Sequence, residues 1–422
     1  MKRPELLSPA GNLTKLKIAL AYGADAVYAS VGGFSLRQRS AKEFDPQSFA
    51  EGVNYAHEKG AKFYATANGF MYNGAIEAAK KHLAWLDEIG VDGIIIAAPG
   101  TINLAKEFAP HTQIHLSTQA NVTNFLDAKF YYDMGVSRIV AAREISLKDL
   151  VKIKKELPNL EIEMFCHGSM CFAYSGRCLL SAVQSNRSSN KGMCANDCRF
   201  GYELYAKNSE SGALFRLEEN EQGETMVFNA KDLNLISHID EIVRSGAIDS
   251  LKIEGRTKSE YYAACATRAY KMAIDDSVAG KFDASVYEAE LQTLTNRGFT
   301  DGYIVNKPYE RVDTQNFENS SVKGSCEVCG LSEDGENLSV KFTIKPLKEY
   351  GILLPFGAKI TPIKNQIGEI FEKNGKAFVK FYKLLTKTGK EFSEIHSGNL
   401  NQILLPTKLE KFTFLRIDIK DV

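Results

Sequence analysis

From residue 5 to about residue 165 the chain alternates short apolar runs with longer stretches in which apolar positions recur at helical spacing. Seven runs read as strands: 5–8, 26–29, 62–67, 93–98, 113–117, 138–142 and 161–165. Helical patterns occupy 12–22, 46–57, 76–89 and 147–155 between them. Gly23, Gly60, Gly90 and Gly135 each stand just before a strand, where glycine supplies the left-handed conformation that ends a helix. The repeat of roughly 25–35 residues is that of consecutive βα units. An eighth strand at 250–255, with helices at 230–244 before it and 259–275 after it, predicts an α/β fold of the (β/α)8, TIM-like barrel type. A ninth strand-like run at 224–229 has no place in such a barrel. It is expected to pair with 202–205 as an inserted hairpin, joined by the polar stretch 207–223. No GxGxxG follows any strand, so a dinucleotide-binding fold has no support.

The texture changes after Ser321, where short alternating runs such as 338–344, 378–382 and 412–417 are separated by Gly and Asn. They predict a small all-β barrel. The expected organisation is a (β/α)8 domain over 1–285, a connecting segment over 286–320 and the β domain over 321–422. That last domain holds 16 Lys/Arg against 12 Asp/Glu, a net +4. With no catalytic constellation of its own, it is expected to act as an arm that grips RNA phosphates through Lys380, Lys383, Lys387 and Lys390. The competing expectation is an ordinary solvated lysine face.

At 44% hydrophobic and 25% charged, with 32 Gly and 11 Pro, the composition excludes disorder, collagen and coiled coil. Lys+Arg and Asp+Glu both number 52, so no global positive field attracts nucleic acid. No apolar run approaches about 18 residues, so no membrane partner is expected. The start, Met1-Lys-Arg-Pro-Glu-Leu-Leu-Ser, lacks the apolar core of a secretory signal, and a cytoplasmic location is expected.

Five of the eight cysteines fall between Cys166 and Cys198. Cys171, Cys178, Cys194 and Cys198 are spaced x6, x15 and x3 on a Gly/Ser/Asn-rich segment that begins where the seventh strand ends. Barrel active sites are built at that end. Four thiolates on one loop suit a [4Fe–4S] cluster or a structural zinc, and spacing alone leaves the two open, with buried structural thiols as the third reading. Cys166, at the strand end, is expected in the core. Cys326 and Cys329 lie in a β pattern without a partner pair.

The stretch Glu163-x-Phe-x-His-Gly-Ser-Met-Cys-x6-Cys-x-Leu-Ser and the opening Pro4-Glu-Leu-Leu-Ser-Pro-Ala-Gly resemble the collagenase-like peptidase family of unassigned catalytic type. Phe34-Ser-Leu-Arg, Gln119-Ala-Asn, Ala142-Arg-Glu, Lys231-Asp-Leu, Lys252-Ile-Glu-Gly-Arg and Asn296-Arg-Gly-Phe-Thr also look like that family's blocks. Length and the appended β domain look most like its tRNA-hydroxylating branch. The resemblance implies prephenate-dependent conversion of wobble uridine to 5-hydroxyuridine, with prephenate as co-substrate in place of dioxygen and tRNA as partner. It also implies a [4Fe–4S] cluster on Cys171, Cys178, Cys194 and Cys198, and leaves room for a paralogous partner subunit.

Two other readings follow from the same features. One is a collagenase-like peptidase, for which no mechanism can be written. Gly-x-Ser-x-Gly is absent, and none of the seven histidines forms His-Glu-x-x-His. The other is a zinc-stabilised RNA-binding protein. For the hydroxylase, the polar residues that follow strands are expected to line the barrel mouth. Arg143 and Arg256, then Arg37, are the expected clamps for a dicarboxylate, with Gln119 and Lys252 also binding substrate. Glu163, His167 and Glu254 are the expected catalytic groups, against the plainer reading that Arg143–Glu144 and Glu254–Arg256 form ion pairs across the rim. Tyr261, Tyr262 and Tyr270 lie at helical spacing and are expected in the core or on the surface rather than as a stacking platform for RNA.

Overall fold

A computed structural model describes residues 2–36, 44–217, 228–305, 314–316 and 319–421. Its centre is a closed ring of eight parallel strands. They are β1 (Glu5–Pro9), β2 (Ala26–Ala29), β3 (Lys62–Thr66), β4 (Gly93–Ile96), β5 (Gln113–Leu116), β6 (Arg138–Val140), β7 (Glu161–Ser169) and β11 (Ser250–Ile253). The last lies between β7 and β1 and closes the barrel. Between β7 and β11 come a hairpin, β8 (Leu204–Lys207) with β9 (Leu214–Leu217), and a short strand β10 (Asp232–Asn234). The outer layer is α1 (Leu13–Ala21), α2 (Pro46–Glu58), α3 (Ile76–Glu88), α4 (Pro99–Phe108), α5 (Phe125–Asp133), α6 (Leu147–Glu156), α8 (Ile239–Ser245) and α9 (Glu260–Val278), with α7 (Leu180–Ser185) in the cysteine loop and α10 (Ala284–Leu291) beyond α9. Local chemistry starts these helices where the sequence puts them. The Asp45 and Ser48 side chains cap α2 reciprocally with Pro46 at its first position, and Ser146 and Ser259 cap α6 and α9.

Two expectations between β7 and β11 are corrected. The predicted 230–244 helix starts late, with a 3-10 turn at 236–238 and an α-helix at 239–245, because 232–234 is recruited as a strand antiparallel to the end of β7. The inserted hairpin exists, but 204–207 pairs with 214–217, inside the stretch read as a polar connection. Most of the run expected to be its second strand, 224–227, lies outside the described residues.

The register of β7 has a consequence for the site. Lys252 faces Phe165, but Ile253 faces His167, so Cys166 is an extra residue on β7. Such a bulge reverses the in/out parity of every residue after it. Glu163 and Phe165 therefore face the barrel interior while His167 faces the helices. Gly168 has φ +104°, and a Cβ there would lie 2.3 Å from the Glu254 carbonyl oxygen, so only glycine fits between β7 and the turn after β11.

Residues 326–418 form an antiparallel sheet of eight strands, in the order Ile363–Lys364, Gly368–Lys373, Lys376–Phe381, Glu349–Leu353, Thr413–Asp418, Cys326–Ser332, Asn337–Val340, Ile403–Leu404. This is the predicted all-β unit, and among the described residues its two outermost strands do not pair to close a barrel. It has its own apolar core, yet Leu331, Leu353 and Phe414 are buried within the core of the large barrel. The Tyr22 hydroxyl contacts the Leu353 and Phe412 carbonyls, both at 2.9 Å. Arg416 donates to both oxygens of Glu290, at 2.7 and 3.1 Å, and to the Tyr261 hydroxyl. The C-terminal domain is thus docked along α1 and α9. Because Arg416 and Glu290 are mostly buried, Arg416→Ala is expected to destabilise the protein by about 3–5 kcal/mol, read as a lower urea midpoint.

Candidate active site

At the C-terminal end of the barrel strands a cavity of about 130 Å³ opens between the strand ends and the cysteine loop. The loop folds back over the mouth through left-handed turns at Ser175, Asn186, Gly192 and Asn196. The Ser175 turn is clamped by Glu144, whose carboxylate accepts from the Ser175 N–H at 2.7 Å and from its hydroxyl. Glu144 is therefore a brace for the loop rather than the ion-pair partner of Arg143.

Cys171, Cys178, Cys194 and Cys198 all line this cavity, each half-buried. The sulfur of Cys178 accepts from the Leu180 N–H at 3.3 Å, and that of Cys194 from the Asn196 N–H at 3.4 Å. Backbone donors aimed at sulfur serve thiolates, which are the ligand form. Burial pushes the Cys198 thiol up, with Arg199 opposing and Cys171, Cys194 and Cys178 reinforcing the rise, so the four thiols share one field. Among the described residues no three His, Cys, Asp or Glu side chains gather closely enough to ligate a single metal ion.

Opposite the thiols stand polar groups from the strand ends. Arg143 lays its guanidinium 4.2 Å above the Phe165 ring and reaches Glu254 at 3.5 Å. Arg256, 9% exposed, donates to the hydroxyls of Ser30, Ser35 (2.8 Å) and Thr66 (3.1 Å), which fix the direction of its planar fork. Lys252 projects its stem into the cavity while its ammonium meets Glu163 at 2.7 Å and lies 4.3 Å over the Tyr28 ring. Gln119 is on the wall, 1% exposed. Thus Gln119, Arg143, Lys252, Glu254, Arg256 and the four cysteines are brought together. Arg37 lies outside the described residues.

Two expected catalytic groups are elsewhere. Glu163 lies one layer below the cavity floor, two residues before Phe165, fully buried between Lys252 and Arg138. That is a depth of about 7 Å along a strand. His167 faces away because of the Cys166 bulge, and its ring packs against Tyr262, Tyr270 and Phe299. Its Nδ1 is 3.4 Å from the Tyr270 hydroxyl. Cys166 is buried as expected, and of the two places left open for Tyr261, Tyr262 and Tyr270 the structure puts all three in the core. Sequence reasoning missed Arg199, which lines the cavity, and Arg177, whose Nε donates to the Gln119 carbonyl at 2.7 Å. Each directly precedes or follows a cysteine of the motif, which was the available signal.

Burial holds His167 and His82 down to about 4, and holds His115 well below its ordinary value with help from Arg138 and Lys252. In the unfolded chain these imidazoles take up protons below about 6.5, whereas the folded chain resists until about 4. The unfolded state therefore binds more protons in that window, and stability present above it is lost as pH falls. Calorimetry is expected to show the melting temperature dropping between about pH 6.5 and 4. His82→Phe, which preserves the stack on Phe34, is expected to flatten the slope by up to one proton.

The family model for peptidase family U32 matches residues 11–314. The chain belongs to this family. Within U32 it is 53% identical over 421 residues to tRNA hydroxylation protein P of Helicobacter pylori, covering 100% of both chains. It is 39% identical to tRNA hydroxylation protein P of Escherichia coli, over 75% of this chain and 78% of that one. A collagenase of Porphyromonas gingivalis is 31% identical over 72% of this chain and 74% of its own. The family thus joins proteins named for RNA chemistry to one named for proteolysis, and the site has to separate them.

Proposed function

We propose that this chain hydroxylates the wobble uridine of tRNA at C5, taking the hydroxyl from prephenate, with a [4Fe–4S] cluster held by Cys171, Cys178, Cys194 and Cys198. The observation that carries the reading is the single cavity in which four thiols face Arg143, Lys252 and Arg256. The full-length likeness to proteins named for tRNA hydroxylation supports it. Four thiolates facing one cavity could each take a different iron of a cubane, and the resemblance of the cysteine motif favours that use of them over a single zinc. When bound, the cluster would supply a redox-active, Lewis-acidic iron site at the cavity wall.

The protein's own groups divide the remaining work. A dicarboxylate asks for two guanidinium forks, and Arg256, oriented by three hydroxyls, and Arg143, backed by Phe165, supply them. Glu254, beside Arg143, is the carboxylate in the cavity positioned to accept a proton as the ring is substituted. Phe172 lines the cavity with an exposed ring, Tyr174 and Phe200 are exposed next to the lining residues Ser175 and Arg199, and the Lys191 ammonium lies 3.9 Å over the exposed ring of Tyr72. Such a rim suits the splayed bases of an anticodon loop. Of the lysines expected to grip tRNA, Lys380 is on the docked sheet, while Lys387, 4.0 Å from Glu336, and Lys390, over Phe392, lie in the turn of a separate hairpin that pairs 384–385 with 391–392. A hydrolytic reading draws on the collagenase relative, but the histidine beside Ser169 in the cysteine motif, His167, is sealed behind β7 and does not line the cavity.

Deleting the gene is expected to remove 5-hydroxyuridine and its derivatives from bulk tRNA, measured by nucleoside mass spectrometry. Unchanged modification, with collagen cleavage by the purified protein after metal removal, would overturn the proposal in favour of the peptidase.

A further inference from the structure

We infer that Gln119 reads the imide edge of the target base, its Oε1 accepting from uracil N3–H while its Nε2 donates to O4. The inference rests on the proposed tRNA chemistry and deepens it by naming the group that recognises the nucleobase. Gln119 sits in the short turn Thr118–Ala120 that follows β5, on the cavity wall, and is 1% exposed. Among the described residues, neither of its side-chain polar atoms has a hydrogen-bond partner. Its surroundings are otherwise satisfied. The Thr118 hydroxyl donates to the Ala141 carbonyl at 2.9 Å, Ser117 Oγ accepts from Asn68 at 3.2 Å, and the Gln119 carbonyl is held by Arg177 at 2.7 Å. The turn is pinned and the amide at its tip is left unserved.

A buried primary amide that neither donates nor accepts is costly, and a ligand group that enters the cavity and serves both atoms relieves that cost. The chemistry of the amide narrows that partner. A carboxylate only accepts, so it would serve Nε2 and leave Oε1 bare, and the cavity already has cations for carboxylates in Arg143 and Arg256. Serving both atoms requires a donor and an acceptor side by side. The N3–H and C4=O of uracil present that pair on the Watson–Crick edge, the edge by which an extruded base is read. C5, the atom to be hydroxylated, neighbours C4, so an amide holding this edge leaves C5 unobstructed for the rest of the site.

The test is a cycle between protein and RNA, read as dissociation constants with the full-length chain. The ligands are anticodon stem–loops carrying uridine or N3-methyluridine at the wobble position. For the unmodified protein, methylation at N3 is expected to weaken binding about ten- to a hundredfold. Gln119→Leu is expected to weaken binding of the uridine RNA by a similar factor and to be indifferent to the methyl group. Its melting temperature is expected to equal or exceed that of the parent, because an unpaired buried amide has been replaced by an apolar group. A variant that still discriminates the methylated RNA, or a parent protein that does not, would overturn the role of Gln119 and leave the tRNA reading standing. Failure of every stem–loop to bind would overturn the tRNA reading itself, and the inference with it.

Discussion

Serine at Cys178 or Cys194 is expected to leave anaerobically purified protein without the brown colour of an iron–sulfur centre and to abolish 5-hydroxyuridine formation in a deletion strain carrying the variant. The expectation follows from the placement of the thiols rather than from their spacing in sequence. All four line one cavity, and these two sulfurs already receive backbone N–H groups from Leu180 and Asn196. A hydroxyl in their place is a harder and far less acidic donor than a thiolate, and a cluster short of one thiolate is lost or held much more weakly. Cys326→Ser is the matching control. Cys326 opens a strand of the C-terminal sheet and is outside the cavity, so colour and modification should both persist. Iron and sulfide analysis against zinc content decides the identity of the group. A colourless parent protein carrying one zinc per chain would sink the cluster and restore the zinc-stabilised reading.

Much of this was legible because it depends on local pattern. The eight barrel strands fall where short apolar runs predicted them, and the cysteine loop emerges from the end of β7 as the motif's position required. What was not legible depends on contacts distant in sequence or on a single extra residue. Strict alternation along β7 would aim Glu163, Phe165 and His167 alike into the barrel. The bulge at Cys166 is invisible in the sequence, and it turns His167 away from the cavity. The β8–β9 pairing was missed because Leu214, Phe215 and Leu217 are exposed, so no core selects that register over the competing one. The docking of the C-terminal sheet rests on pairs such as Tyr22 with Leu353 and Arg416 with Glu290, more than 100 residues apart in each case. No periodicity announces such pairs. The unserved amide of Gln119 belongs to the same class, since only packed coordinates show which polar atoms lack a partner.

Glu163→Ala is expected to cost about 3–5 kcal/mol of stability, enough to unfold a large fraction of the protein at moderate temperature. Glu163 is fully buried, and it accepts from Lys252 at 2.7 Å and from Arg138 at 3.3 Å. Removing it strands a buried ammonium, because the rest of Lys252's surroundings are the rings of Tyr28 and Phe165. Arg138 suffers less, since Glu5 and Glu161 each hold it at 2.7 Å. The imbalance makes a specific forecast for a double-mutant cycle. Lys252→Met alone should be milder than Glu163→Ala, because Arg138 still partners the carboxylate, and Glu163→Leu with Lys252→Met should recover most of the loss. Paired deletion of buried opposite charges is often close to neutral, whereas single deletion leaves one charge uncompensated. Denaturant midpoints of Glu163→Leu, Lys252→Met and their combination, each against the parent, measure the coupling. If Glu163→Ala proved to cost less than about 1 kcal/mol, the carboxylate would not be anchoring the barrel interior. Glu163 would then return as a candidate for moving protons in the chemistry above it.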